Sequence, residues 1–136
     1  MITEISDETL TLKLMNNWAN SLYYYQIYSA NNKIGKINIR IGYNQHTYYD
    51  GHIEYEIDIP YRGHKYSYYA SKLAFEVAKA HNMDYVYITC CSSNIASKKI
   101  IEQLDGKLLE TCNSLPIDFS DWYENIKPYC IYKIDL

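Results

Sequence analysis

The stretch His52-Ile-Glu-Tyr-Glu-Ile-Asp-Ile-Pro60, continued by Tyr61-Arg-Gly-His-Lys-Tyr-Ser67, decides how this chain folds. Ile53, Tyr55, Ile57 and Ile59 alternate with His52, Glu54, Glu56 and Asp58, the period of a half-buried strand. Pro60 has no N–H to give a ladder, so regular pairing fails there and the chain turns through Arg62-Gly63. Tyr66, Tyr69, Ala70, Leu73, Val77 and Ala80 then recur at helical spacing, up to a left-handed stop near Asn82. A second strand, Tyr85 to Cys90, follows this crossover helix, which makes the two strands parallel and their connection right-handed. Ser93 or Asn94 caps a further helix that closes at Asp105-Gly106. Backbone N–H groups that converge at a helix start form a place to hold phosphate.

Working outward, Leu10, Leu12 and Leu14 predict a strand, and Met15 to Leu22, rich in asparagine around Trp18, reads as a short helix or an irregular piece. Tyr23 to Ser29 and Ile34 to Ile41 form a hairpin across the asparagine turn at residues 30–33. Gly42 to Gly51 reads as a polar loop. Lys107 to Cys112 and Tyr129 to Leu136 are strands, with a long loop between them at residues 113–129. The fold class is α+β verging on α/β: a single mixed sheet, mostly antiparallel, with one parallel pair in its middle and helices packed on it. The whole of 1–136 reads as one domain, the usual size for one core.

Composition narrows the function. A net charge of −3 supplies no electrostatic footprint for nucleic acid or an anionic membrane, and no apolar run approaches a membrane span. The acidic start is not a signal peptide, so a cytoplasmic protein is expected. Cys90, Cys91, Cys112 and Cys130 lack paired metal spacing and read as reduced, buried thiols. His46, His64 and His81 share no ligand pattern, so no metal is expected. Seventeen tyrosines against two phenylalanines suit strand faces and half-wet surfaces, with an aromatic-lined cleft as the second reading.

At its central stretch the chain resembles the GNAT superfamily of acyl-CoA-dependent N-acyltransferases. Ile53 to Ser67 is similar to that family's strand and R/Q-x-x-G-x-G/A turn, and Asn94 to Leu109 is similar to its asparagine-initiated helix and following Gly. The resemblance covers roughly Ile34 to Glu110. It implies acetyl-CoA as cosubstrate, with the pyrophosphate on Arg62, Gly63, His64, Lys65, Tyr66 and Ser67. It further implies that the parallel strands splay, that Ile57 and Ile59 offer backbone to the pantetheine arm, and that Asn94 and Ser97 sit beside it. Direct acetyl transfer to a primary amine, on a small molecule or a protein, is the implied activity, and a homodimer is compatible with it. The chain departs from the family's pattern at Lys65 (a glycine there), Ser67 (alanine or glycine) and Ile101, where many relatives carry a tyrosine as general acid. A side chain is tolerated at 65 if its φ is negative. The alternative is therefore a CoA-binding or regulatory module with weakened chemistry.

The amine must lose a proton, and a carboxylate or imidazole takes it. The row His52, Glu54 and Glu56 is the field for this base, with Glu54 ahead of Glu56. Their mutual repulsion makes one of the carboxylates a better proton acceptor. Tyr123, Tyr129 and Tyr132 are the tyrosines considered for the weak acid that meets the leaving thiolate.

Overall fold

The computed structural model describes residues 1–19, 21–113 and 128–136. The elements are β1 (Glu4–Ser6), β2 (Thr11–Trp18), β3 (Leu22–Ser29), β4 (Asn32–Arg40), α1 (Gln45–Asp50), β5 (Ile53–Ile57), a 3-10 turn at Ile59–Tyr61, α2 (Tyr66–Ala80), β6 (Tyr85–Cys91), α3 (Ile95–Gln103), β7 (Lys107–Cys112) and β8 (Tyr129–Asp135). Among the described residues the strands form two sheets, a five-stranded β1-β2-β3-β4-β5 and a three-stranded β6-β8-β7. Every ladder in both is antiparallel. The single sheet of the sequence reading is thus corrected to two, because β5 and β6 do not share a ladder. The reason is local. The His52 N–H donates to the Tyr87 carbonyl at 2.7 Å, and the Tyr87 N–H donates not to a peptide but to His52 Nδ1 at 2.8 Å. A side chain replaces the next rung, so the ladder stops after one joint.

A continuous core binds the two sheets. Ile37, Ile39 and Ile53 of the first sheet and Val86, Ile88 and Ile134 of the second share it with Ala70, Leu73, Ala74, Val77 and Ala78 of α2. Small residues on α2 let the helix lie close over β4 and β5, which it contacts along with β2 and α3. Gly35 serves the same closeness inside the sheet. A methyl group there would run into the Glu56 carbonyl oxygen on the neighbouring strand.

Other expectations shift in detail. Met15 to Trp18 is not helical: β2 runs through Trp18, with a bulge between Leu14 and Asn16 that breaks the apolar alternation. The polar loop holds α1, whose start is a reciprocal cap in which Asn44 and Thr47 each bond the other's backbone N–H. β5 ends at Ile57 rather than Ile59, and the 3-10 turn takes over, closed by Tyr61 N–H to Asp58 O and Arg62 N–H to Ile59 O. All four cysteines are free, but only Cys130 is fully buried. Most of the long loop, including Tyr123, lies outside the described residues. Among the described helices none is long and apolar enough to cross a membrane.

Candidate active site

β5 divides its hydrogen bonds by parity. The Arg40 N–H reaches the His52 carbonyl and the Asp58 N–H reaches the Ile34 carbonyl, both at 2.8 Å, so even-numbered residues of β5 face β4. The peptide groups of Tyr55 and Ile57 therefore point away from β4. β6 has the same arithmetic: Leu136 N–H bonds the Asp84 carbonyl, so the peptides of Tyr85, Tyr87 and Thr89 point away from β8. Side chains cover the start of that edge. The Tyr43 hydroxyl donates to the Tyr85 carbonyl at 2.7 Å and His52 clamps Tyr87. Gly51, with φ +80°, passes so close that a Cβ would press on the Tyr87 oxygen and the Thr89 nitrogen at 3.3 Å.

Beyond this joint opens a cleft of about 570 Å³. One wall is Tyr55, Glu56 and Ile57 of β5, the next is Tyr61 to Ser67 without His64, and the third is the start of α3 with Asn94, Ser97 and Lys99. Nine of the residues expected from sequence meet here: Glu56, Ile57, Arg62, Gly63, Lys65, Tyr66, Ser67, Asn94 and Ser97. Ile59 and His64 do not line it, and Ile59 is exposed. Arg62 Nε donates to the Ile57 carbonyl at 2.7 Å, which fixes the guanidinium at the mouth. Lys65 and Lys99 add two more cations, against the single carboxylate of Glu56.

The turn departs from the expected backbone. Lys65 sits at φ +61°, in the left-handed region, and not at negative φ. Gly63 is at +90°. Together they aim the chain so that the N–H groups of residues 63–67 find no acceptor among the described residues, while the α2 ladder begins only with Tyr68 and Tyr69 bonding the Lys65 carbonyl. α3 starts with a side-chain cap instead: Asn94 Oδ1 accepts from Ser97 N–H at 3.1 Å.

A second cavity, about 540 Å³, lies against β3, β4 and β5 and shares with the cleft only Tyr55 and Glu56. Glu54 lines this cavity and is held by Arg40 Nη1 at 3.0 Å; Glu56 faces Lys36 Nζ at 3.6 Å. The two carboxylates are therefore each opposed by a cation, which the repulsion argument along one strand did not include. His52 leaves the list of bases. It is fully buried, donates Nε2–H to the Gly42 carbonyl at 2.7 Å and accepts at Nδ1, which fixes a neutral tautomer. Burial lowers its pKa below the usual histidine value, Arg40 adds to this, and the Gly42 bond opposes it.

Tyr55 is the residue sequence reasoning missed. It stands near Ser97 of α3 and Ser67 of α2, and burial, with Cys90, raises the pKa of its hydroxyl while the two serines oppose this. Its place on the apolar row of β5 hid it. Lys99, Asn38 and Arg40 were missed as well, although Lys36, Asn38 and Arg40 alternate on β4 opposite Glu56 and Glu54. Tyr129 and Tyr132 are buried in the second sheet and line neither cavity. Among the described residues no group of histidine, cysteine, aspartate and glutamate side chains is placed to hold a metal.

Residues 3–107 match the family described as Acetyltransferase (GNAT) domain. The chain belongs to the GNAT acetyltransferase family. No protein of curated function matches it by sequence. Solved structures share the fold. A Salmonella typhimurium acetyltransferase that modifies the N-terminal serine of 50S ribosomal subunit protein L7/L12 aligns with TM-score 0.63 at 12% identity, over 85% of this chain and 64% of that one. The L7/L12 α-N-protein acetyltransferase RimL in complex with coenzyme A gives 0.64 at 14% identity, over 85% and 63%. The ribosomal-protein-S5-alanine acetyltransferase of Vibrio fischeri gives 0.74 at 12% identity, over 97% and 96%. The chain thus spans somewhat under two thirds of the first two.

Proposed function

We propose that this GNAT protein is an acyl-CoA-dependent N-acetyltransferase that moves acetyl from acetyl-CoA to a primary amine by direct attack, with no covalent enzyme intermediate. The observation that carries the reading is the meeting of two cavities at one wall, Tyr55 and Glu56. The cleft suits the cosubstrate. Five N–H groups without an acceptor among the described residues, at the start of a fifteen-residue helix and with Arg62, Lys65 and Lys99 around them, match a diphosphate. The outward peptides of Tyr55 and Thr89, with the N–H of Ile57, suit an amide-bearing arm between two strands that part beyond the His52–Tyr87 joint in parallel sense. RimL, which shares this fold, is a coenzyme A complex, and that supports a CoA-type ligand for this chain. Asn94, whose oxygen is spent on its cap, keeps its amide N–H₂ for that arm.

Acetyl-CoA supplies an activated carbonyl, and the protein supplies position and proton traffic. Glu56 borders both cavities and takes the ammonium proton, directly or through water, before the amine nitrogen bonds the carbonyl carbon and the carbon–sulfur bond breaks. Glu54, bound to Arg40 and confined to the second cavity, holds the cation side of that wall in place. Tyr55 keeps its hydroxyl protonated and stands beside the departing sulfur as the weak acid. Four free thiols fit a reducing, cytoplasmic setting.

Thiol release from acetyl-CoA in the presence of an amine panel tests the roles. Glu56→Gln should lose about 10²–10⁴-fold in kcat with acetyl-CoA affinity kept, and Glu54→Gln much less. A wild-type kcat in Glu56→Gln removes the base. No heat on titrating acetyl-CoA into the wild type removes the cleft assignment altogether.

A further inference from the structure

Two stripes run along α3. Ile101 and Leu104 go into the core. Beside them Ala96, Lys99, Ile100 and Gln103, spaced i, i+3, i+4 and i+7, make one helical face, and all four line the cleft. That face carries an ammonium and an amide one turn apart. Lys99 has no ion pair or hydrogen-bond partner among the described residues. Glu102, three residues on, does not pair with it, and Glu56, the single carboxylate lining the cleft, faces Lys36.

The turn on the opposite wall is complete without Lys99. Its five N–H groups stand beside Arg62 and Lys65, which oppose the charge of a diphosphate from the same segment. Lys99 and Gln103 are mounted on a different element, so they meet a different part of the donor. A phosphate monoester brings about 1.5–2 negative charges and three acceptor oxygens, which an ammonium and an amide side by side can share. Between the walls, Tyr61 and Tyr66 on the turn side and Ala96 and Ile100 on the helix side offer apolar surface to a flat ring system.

Resting on the transferase reading, we propose that Lys99, with Gln103 beside it, seats the 3′-phosphate of coenzyme A and makes the protein select the finished coenzyme over its dephospho form. The turn grips the diphosphate that both forms carry. The α3 face reads the one group that separates them.

Coenzyme A and dephospho-coenzyme A are therefore the probes. Calorimetric titration at low ionic strength should give coenzyme A a dissociation constant about tenfold lower, the small end for charge-assisted bonds because Lys99 is exposed. Lys99→Met, which keeps most of the stem, should bring the two constants within about twofold by weakening coenzyme A alone. Its wild-type affinity for the dephospho form then shows that the cleft is intact. Lys65→Met should weaken both probes by a common factor and leave their ratio in place. Equal affinity of the wild type for the two probes overturns the second phosphate site. A ratio that survives Lys99→Met, a loss of both probes in that variant, or a ratio that collapses in Lys65→Met overturns the assigned seat. Heat with no preference removes this inference alone, and no heat with either probe removes it together with the transferase reading.

Discussion

His52 gives the fold a sharp test. Replacing it with leucine keeps a side chain of similar bulk between Tyr43 and Tyr87, whose rings lie 5.2 and 5.5 Å from the imidazole. What is lost is the pair of ring hydrogen bonds, 2.7 Å to Gly42 and 2.8 Å from Tyr87. Each stranded partner costs about 1–3 kcal/mol, discounted because both are only partly buried, so the sum is about 3 kcal/mol. That is a large share of the ~5–15 kcal/mol of a typical domain. Urea unfolding near pH 8 should show the midpoint falling by about 1.5 M, for a slope of about 2 kcal/mol per M. The pH dependence carries a second, independent reading. Burial holds the folded imidazole below its unfolded value of 6.5, so the unfolded chain binds the proton first as pH falls. The stability gap between wild type and His52→Leu should therefore be full above about pH 6.5 and shrink below it, by at most ~1.4 kcal/mol per pH unit. Other titrating groups cancel in the difference. A gap that widens on acidification, or a loss under 1 kcal/mol at pH 8, would falsify the neutral-clamp account.

Two further substitutions probe the backbone around the site. Gly35→Ala pushes a methyl into the Glu56 carbonyl oxygen and toward the Ile57 Cα at 3.1 Å, so it should cost about 1–3 kcal/mol and slow thiol release by moving both cavities' shared wall; wild-type urea stability would show that the strands yield freely. Lys65→Gly removes a left-handed strain of about 1–2 kcal/mol and adds about 0.5–1 kcal/mol of unfolded-state entropy, so the melting temperature should rise by about 2–4 °C. A lower melting temperature would mean that the lysine side chain contributes more than its backbone conformation costs.

The elements that sequence made plain are those with an unbroken period. The alternation of β5, the apolar face of α2 and the asparagine start of α3 all survive in the structure. Where one residue interrupts the period, the reading fails: the bulge at Met15 hid the end of a strand behind a stretch that reads as a short helix or an irregular piece. α1 is six residues long, too short to show periodicity, and its cap pairs Asn44 with Thr47 rather than with the glutamate or glutamine that marks the usual signature. The positive φ of Lys65 was invisible for another reason. Identity at that position favours negative φ, and only the geometry between Gly63 and α2 demands otherwise. Glu54 and Glu56 were legible as a pair along one strand. Their cations were not, since these come from β4 through a register that no single strand encodes.

The same logic explains why the cleft stays open. Two neighbouring strand edges with outward N–H and C=O groups would gain about 1 kcal/mol for each rung by zipping together. Here each edge is stopped at its far end by its own chain. Arg62 Nε takes the Ile57 carbonyl of β5, and the Asn94 N–H takes the Cys91 carbonyl of β6 at 3.0 Å. At the near end His52 inserts a ring nitrogen where a peptide oxygen would continue the ladder. Tyr55 is left between these stops with its peptide groups directed away from β4, and Ile57 keeps its N–H. Among the described residues β5 and β6 share no ladder, and the last outward carbonyl of each is already taken by its own chain.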